Sequence, residues 1–191
     1  MSRLKVRYRA LICPLHQIVK IVPRHASVMD IGCGAGTLLW FLEHYRSPQA
    51  LAGLEIDPGL ANEARLMVPS FAQSIKVYDG RNLPDDVSLF DFVILNDVFH
   101  HIERSRQAAF LAELKDRMKP SAHLILKDID ADRRILVWVN RLHDLVLNGE
   151  IGHERGRGEV RALLEQAGFK IRTEQSRRMA GYPHFTLVAS A

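Results

Sequence analysis

Short, largely apolar runs recur along the chain at Ser27 to Ile31, Ala50 to Glu55, Ile75 to Asp79, Phe90 to Asn96 and His123 to Asp128. Each closes on a polar or acidic residue or at glycine. Runs that are apolar on both sides predict strands buried in a parallel sheet. Between them the apolar positions fall three and four apart, over Thr37 to Tyr45, Pro58 to Met67 and Ser105 to Met118, which predicts helices. Pro58 suits a first helical turn and Lys119-Pro120 a stop. The stretch from Gly80 to Leu89 is too short for a long helix and predicts a loop or a single turn. Toward the end, Val160 to Ala167 reads as a helix stopped by Gly168. The alternating runs Phe169 to Thr173 and Phe185 to Ala189, joined through Gly181 and Pro183, read as an antiparallel hairpin. This order predicts an α/β fold with a doubly wound, mostly parallel seven-stranded sheet and a C-terminal antiparallel hairpin. Ligands of such a sheet sit beyond the carboxyl ends of its strands.

Composition narrows the class. The 191 residues, 47% hydrophobic and 25% charged, suit one globular domain and exclude a disordered, collagen-like or coiled-coil chain. Residues 1–26 read as a basic arm (Arg3, Lys5, Arg7, Arg9) and a helix over the site entrance, from the apolar run Ala10 to Val22. Residues 27–191 read as the ligand-binding domain, with a substrate or lid segment at about 129–159. No apolar run approaches the ~18 residues of a membrane span, and the start lacks the pattern of an export signal. The two cysteines, Cys13 and Cys33, make no disulfide framework, so a cytoplasmic location is expected. A net charge of +4 permits acidic partners but falls short of a nucleic-acid coat protein.

The chemistry-bearing signal is Asp30-Ile31-Gly32-Cys33-Gly34-Ala35-Gly36, which sets three alternating glycines between the first strand and the first helix after it. Such a turn lets a ligand approach the backbone closely. A nicotinamide-binding loop wants its third glycine or alanine one place later, where this chain has Thr37. Asp30 would repel a pyrophosphate, yet favours a ligand carrying an ammonium and a sulfonium. About 20 residues on, the second strand ends at Glu55, placed to accept from both hydroxyls of a ribose. The third strand ends at Asp79, whose carboxylate can accept from an adenine amino group. An adenosine fits these positions.

Taken together, the Asp30 to Gly36 loop, Gly53-Leu54-Glu55-Ile56-Asp57-Pro58, Asp79 to Pro84, Phe90 to His101 and Leu114 to Asp128 resemble the class I S-adenosylmethionine-dependent methyltransferases. The resemblance covers roughly residues 27–128. It implies S-adenosylmethionine as cofactor and S-adenosylhomocysteine as product. It also implies that the glycine loop (Asp30, Gly32, Gly34) meets the methionine half, Glu55 the ribose and Asp79 the adenine, with Asn96 near the sulfonium. Cys33, Ile56, Gly80 and Asp97 stand beside them as further cofactor-binding candidates. The family's second-strand acid is more often Asp, so Asp57 is the fallback for Glu55.

Methyl transfer from a sulfonium is an in-line displacement, accelerated chiefly by holding the nucleophile close in a water-poor site. A hydroxyl acceptor also needs a base, and His is the usual one near neutral pH. His100, His101, His143 and His184 are the candidates, of which His100 and His101 follow the fourth strand; His101 also suits a pocket-shaping role. Asp97, Asp128 and Asp130 end neighbouring strands without strong metal-ligand spacing, and no metal is assigned. The apolar stretch around Trp138 to Leu147 is either a buried helix or a pocket wall. As a wall it predicts a small, apolar or aromatic acceptor near Trp138, His143, Tyr182 and His184, methylated on oxygen. That acceptor is a small molecule, alone or on a carrier protein. A nucleic-acid substrate is disfavoured, because Asn96-Asp97-Val98-Phe99 lacks the two prolines of enzymes that methylate base amines, and Cys13 and Cys33 are poorly placed for ring-carbon chemistry. RNA methylation and a non-catalytic cofactor-binding scaffold are the alternatives.

Overall fold

A computed structural model describes residues 15–132, 153–179 and 182–191. The arm of residues 1–14, Trp138, His143, Gly149, Gly152 and the Gly181 turn lie outside the described residues, as does the Tyr182 side chain. Seven strands form one sheet: β1 (Ser27–Ile31), β2 (Ala50–Glu55), β3 (Ile75–Val77), β4 (Phe92–Asn96), β5 (His123–Ile129), β6 (Lys170–Met179) and β7 (Tyr182–Ser190). Their order is β3-β2-β1-β4-β5-β7-β6. Strands β1 to β5 run parallel; β7 is antiparallel to both β5 and β6. The predicted doubly wound sheet with its terminal hairpin is therefore present.

Among the described residues five helices flank it: α1 (Leu15–Ile21), α2 (Thr37–Arg46), α3 (Pro58–Met67), α4 (Arg104–Arg117) and α5 (Arg157–Gln166). One apolar cluster joins Ile18 of α1, Leu39 of α2 and Ala64 of α3 to Val28, Ile125 and Val188 on one face of the sheet. The other joins Leu111 of α4 and Leu164 of α5 to Met29, Val93, Leu126 and Phe185 on the opposite face. Alternation along each strand splits the residues this way, because successive side chains point to opposite faces. Helix α1 sits in the first cluster, with Leu15, Ile18 and Val19 buried, so it is part of the core.

Several boundaries differ from the sequence expectation. Strand β3 stops at Val77, so Asp79 lies in the loop beyond it. The turn expected between β3 and β4 is a single 3-10 turn, Asp85–Leu89. Both hairpin strands run longer than their alternating cores, and Pro183 lies within β7. It pairs with Arg178 in β6, and its carbonyl accepts the Asp130 N–H at 2.9 Å. No helix among the described residues is long and apolar enough to cross a membrane.

Candidate active site

The glycine loop follows β1 at the carboxyl edge of the sheet. Gly32, Gly34 and Gly36 have φ of 76°, 55° and 81°, the left-handed region that side chains avoid. Gly32 is constrained twice, since a Cβ there would meet Val98 Cγ2 at 2.3 Å. The N–H groups of Gly32 and Cys33 both donate to the Leu54 carbonyl, at 2.7 and 3.0 Å, tying the loop to β2. Asp30, buried, lies between Ile31 and Met29 and so shares Val28's face of the sheet.

Glu55 closes β2 and is buried. Its Oε2 accepts the Gly34 N–H at 2.8 Å, and Oε1 accepts the N–H groups of Ile56 and Asp57 at 2.8 and 3.0 Å. A carboxylate has about four acceptor positions, so three backbone bonds leave room for a hydroxyl donor. The sequence reading assigned Glu55 wholly to a ribose; the structure shows that it also braces the glycine loop. Asp57, the fallback, is the N-cap of α3, its Oδ1 accepting from the N–H groups of Gly59 and Leu60 at 2.7 and 2.9 Å.

Asp79 is exposed and accepts from the N–H groups of Arg81 and Asn82, both at 2.8 Å, and from the Asn82 side chain at 2.6 Å. These bonds hold its pKa below the usual carboxylate range. Gly80 follows with φ 72°, and a Cβ on it would come within 3.2 Å of Ile56 Cγ2. Ile56 itself is 61% exposed, an aliphatic face left open between the ends of β2 and β3. Tyr78, missed by the sequence reading, packs there, its hydroxyl pKa pushed up to about 12 by burial and then by the charges of Glu55 and Asp79. The Cys33 thiol is likewise pushed up, by burial first and then by Asp30 and Glu55. Behind burial, the smaller contributions come from Asp30, Glu55 and Asp79, acids along this edge that suit a cationic ligand.

At the neighbouring edge, Asn96 ends β4 and Asp97 follows with φ 56°. Asp97 is ion-paired to Lys127 of β5, whose Nζ lies 2.6 and 2.7 Å from its two oxygens. Lys127 is fully buried, and no signal short of the strand pairing marks it in the sequence. His100 lies in the short 3-10 turn Phe99–His101 after β4. Its Nδ1 is 2.6 Å from Asp128 Oδ1, and its main-chain N–H donates to Asp128 Oδ2 at 3.0 Å. Both residues are buried. His101 is exposed, its ring centroid 4.1 Å from that of His100. The segment after residue 152 docks here as well: the His153 N–H donates to the His100 carbonyl at 2.7 Å, and Gln107 Nε2 donates to the carbonyls of Ile102 and His153 at 3.0 and 3.2 Å.

The predicted histidines are not all brought together. Asp128, the partner of His100, lines up across β7 with Phe185, on the face covered by α4 and α5. His184 lines up with Ile129, one residue on, and therefore points to the opposite face. The three strand-end aspartates also have separate structural duties. Asp97 pairs with Lys127, Asp128 with His100, and Asp130 Oδ1 accepts the N–H groups of Asp132 and Arg157, both at 3.2 Å. Among the described residues no group of three or more His, Cys, Asp or Glu is placed to hold a metal ion.

This geometry fits what known proteins show. Residues 4–174 match the Methyltransf_23 family, described as a methyltransferase domain. The chain is 23% identical over 111 residues to a carboxy-S-adenosyl-L-methionine synthase of Campylobacter curvus, covering 58% of this chain and 47% of that protein. It therefore spans about half the length of this curated relative. Among solved structures, the mitomycin 7-O-methyltransferase MmcR is 26% identical, with a TM-score of 0.71 over 93% of this chain and 53% of its own. Magnesium protoporphyrin IX methyltransferase from Synechocystis PCC 6803, solved with bound SAH, is 20% identical and shares the fold, with a TM-score of 0.71 over 92% of this chain and 81% of its own. With the glycine loop, the acid-fringed edge and the seven-stranded order in place, the chain belongs to the class I S-adenosylmethionine-dependent methyltransferase family.

Proposed function

We propose that the protein methylates an oxygen of a small, largely apolar or aromatic acceptor, with His100 as the group that takes the acceptor's proton. The residues at the carboxyl edge fit the family's cofactor. The left-handed glycine loop offers an open backbone, Glu55 retains acceptor capacity, Ile56 presents an apolar face, and the field is negative. Asp30, Gly32, Cys33, Gly34, Glu55, Ile56, Asp79, Gly80 and Asn96 would hold it. S-adenosylmethionine, when bound, supplies an electrophilic methyl group on a sulfonium. Asp97, a further candidate for the same role, is ion-paired to Lys127 and so also links the end of β4 to β5.

The observation that carries the oxygen reading is the His100–Asp128 pair beside the end of β4. A hydroxyl must lose its proton as the new C–O bond forms, and a buried, carboxylate-oriented imidazole is a base suited to take it. A carboxylate against Nδ1 holds the proton on that nitrogen and directs the basic character of the ring to Nε2. The O-methyltransferase among the structural neighbours supports the same reading. His101, exposed beside the pair, shapes the mouth of the site.

The test is transfer of labelled methyl from S-adenosylmethionine into a cell extract separated into small-molecule, RNA and protein fractions. Label in the small-molecule fraction, as a base-stable methyl ether, is the expected outcome. Label confined to RNA would transfer the assignment to nucleic acid, and label in protein would point to a carrier-bound or protein acceptor. Binding of S-adenosylhomocysteine weakened at least tenfold in Glu55→Gln, about 1.4 kcal/mol, would tie the cofactor to this edge. Unchanged binding in that variant would remove Glu55 from the cofactor site.

A further inference from the structure

The hairpin rises past the sheet at the edge where the cofactor and acceptor would lie. Strand β6 runs parallel to β5, and the last β5 pairing is Ile129 with His184. Arg177 pairs with His184 at that level, while Arg178 pairs with Pro183 beyond it. Consecutive strand residues point to opposite faces, so the two guanidinium groups rim the end of the hairpin from both sides. They line, with Asp130, Ser176, Pro183 and His184, a cleft of about 410 Å³.

Among the described residues the charge of this cleft is not balanced. The other arginines nearby are matched: Arg157 lies 2.7 Å and Arg161 3.2 Å from Glu174. Arg178 makes no hydrogen bond or ion pair with any described residue. Among the described residues the Arg177 side chain meets His16, with Nη1 2.6 Å from His16 Nε2. The His16 ring titrates below its ordinary value, through burial and the nearby Arg177 and Lys20, and so accepts this bond as a neutral imidazole. Asp130 is the one acid among the described lining residues, and its Oδ1 is already engaged by the N–H groups of Asp132 and Arg157. Two guanidinium groups at the rim of a cleft, with a buried His184 in its wall, make a site for a carboxylate or a phosphate.

We propose that this cleft binds an anionic group of the acceptor, which makes the substrate class a hydroxylated molecule carrying a carboxylate or phosphate. The inference rests on the methyl-transfer reading above and deepens it. The cleft lies two to three strands from the end of β4, at the same carboxyl edge of the sheet. Anchoring the far end orients the near end, so that the cleft sets position as well as specificity.

The experiment is calorimetric titration of protein saturated with S-adenosylhomocysteine, with three probes: trans-4-hydroxycinnamate, its methyl ester and inorganic phosphate. The acid is expected to bind at least tenfold tighter than the ester. Competition by phosphate would mark the site as open to both anions; absence of competition with the acid still bound would restrict it to carboxylates. Arg178→Gln, which leaves the Arg177–His16 contact intact, is expected to remove most of the preference, and R177Q/R178Q all of it, with the S-adenosylhomocysteine affinity of each variant unchanged. Equal binding of acid and ester, a preference that survives in R177Q/R178Q, or no heat from either anion would overturn the proposal. Failure of the unsubstituted protein to bind S-adenosylhomocysteine would instead overturn the reading on which it rests, and the proposal with it.

Discussion

Asp128 grips His100 at two points, with one carboxylate oxygen 2.6 Å from the ring Nδ1 and the other accepting the main-chain N–H at 3.0 Å. The same Oδ1 accepts the Ile129 N–H at 2.7 Å. Ring orientation and loop position are thus set by one buried group that belongs to the next strand of the sheet.

His100→Gln is expected to lower kcat for a hydroxyl acceptor by about 10²-fold or more, the usual scale of a general base, with S-adenosylhomocysteine affinity retained. Asp128→Asn should also lower kcat, and in addition cost roughly 1–3 kcal/mol of stability, because it disturbs three buried hydrogen bonds. Denaturant unfolding together with steady-state kinetics separates the two effects. A His100→Gln enzyme as fast as the parent would leave the ring with a structural duty alone.

Gly32→Ala is expected to abolish cofactor binding. The added Cβ would lie 2.3 Å from Val98 Cγ2, at a φ of 76° that costs a further ~1–3 kcal/mol for a residue with a side chain. Adding Val98→Ala should restore part of the melting temperature by relieving the clash, while the backbone cost persists. Thermal melts with and without S-adenosylhomocysteine read both outcomes.

Lys127 and Asp97 form a buried pair in which the lysine is fully enclosed and Asp97 holds a left-handed backbone. Lys127→Met leaves the carboxylate without its ammonium and is expected to destabilise the fold by about 3–5 kcal/mol. Combining it with Asp97→Asn, which removes the stranded charge, should recover a substantial share. A double-mutant cycle in urea measures this coupling, and additive effects would show that the pair contributes nothing as a pair.

At the opposite edge of the sheet, Asp91 accepts from the Ser27 N–H at 3.0 Å and the Ser27 hydroxyl at 2.7 Å, and lies 2.6 Å from Lys119 Nζ. The Lys119 bond, then those from Ser27, hold its pKa at about 2. A carboxyl with a depressed folded-state pKa stabilises the fold above its unfolded value, near 3.9, and loses that contribution as pH falls toward 2. Its side chain is 47% exposed, so the contribution is screened to roughly 1 kcal/mol. The stability gap between the parent and Asp91→Asn should hold steady from pH 7 to 5 and narrow between pH 4 and 2, as followed by urea unfolding. A gap independent of pH would show that the charge of Asp91 plays no part.

Much of the cofactor edge was legible in the sequence because its signals are local. Glycines in a left-handed loop, an acid one residue past an apolar run and a proline opening a helix each act within a few positions. Glu55 and Gly32 could therefore be located before any fold was seen, whereas the cap that Asp57 makes on α3 and the bond by which Glu55 braces Gly34 required the structure. The histidines were less readable. His100 and His184 look alike in sequence, yet one residue of register sends the latter to the opposite face of the sheet.

The amino-acid pattern alone determined the order and type of the elements, the parallel sheet with its hairpin, and the strand-end acids that fringe a cationic ligand, since periodicity and turn chemistry are properties of neighbouring residues. Only the tertiary structure decided that Asp128 serves His100, that Lys127 answers Asp97, and that Arg177 and Arg178 line one cleft at the end of the hairpin. Those relations depend on the order β1-β4-β5-β7-β6 and its register, which long-range packing sets and no short stretch of chain contains.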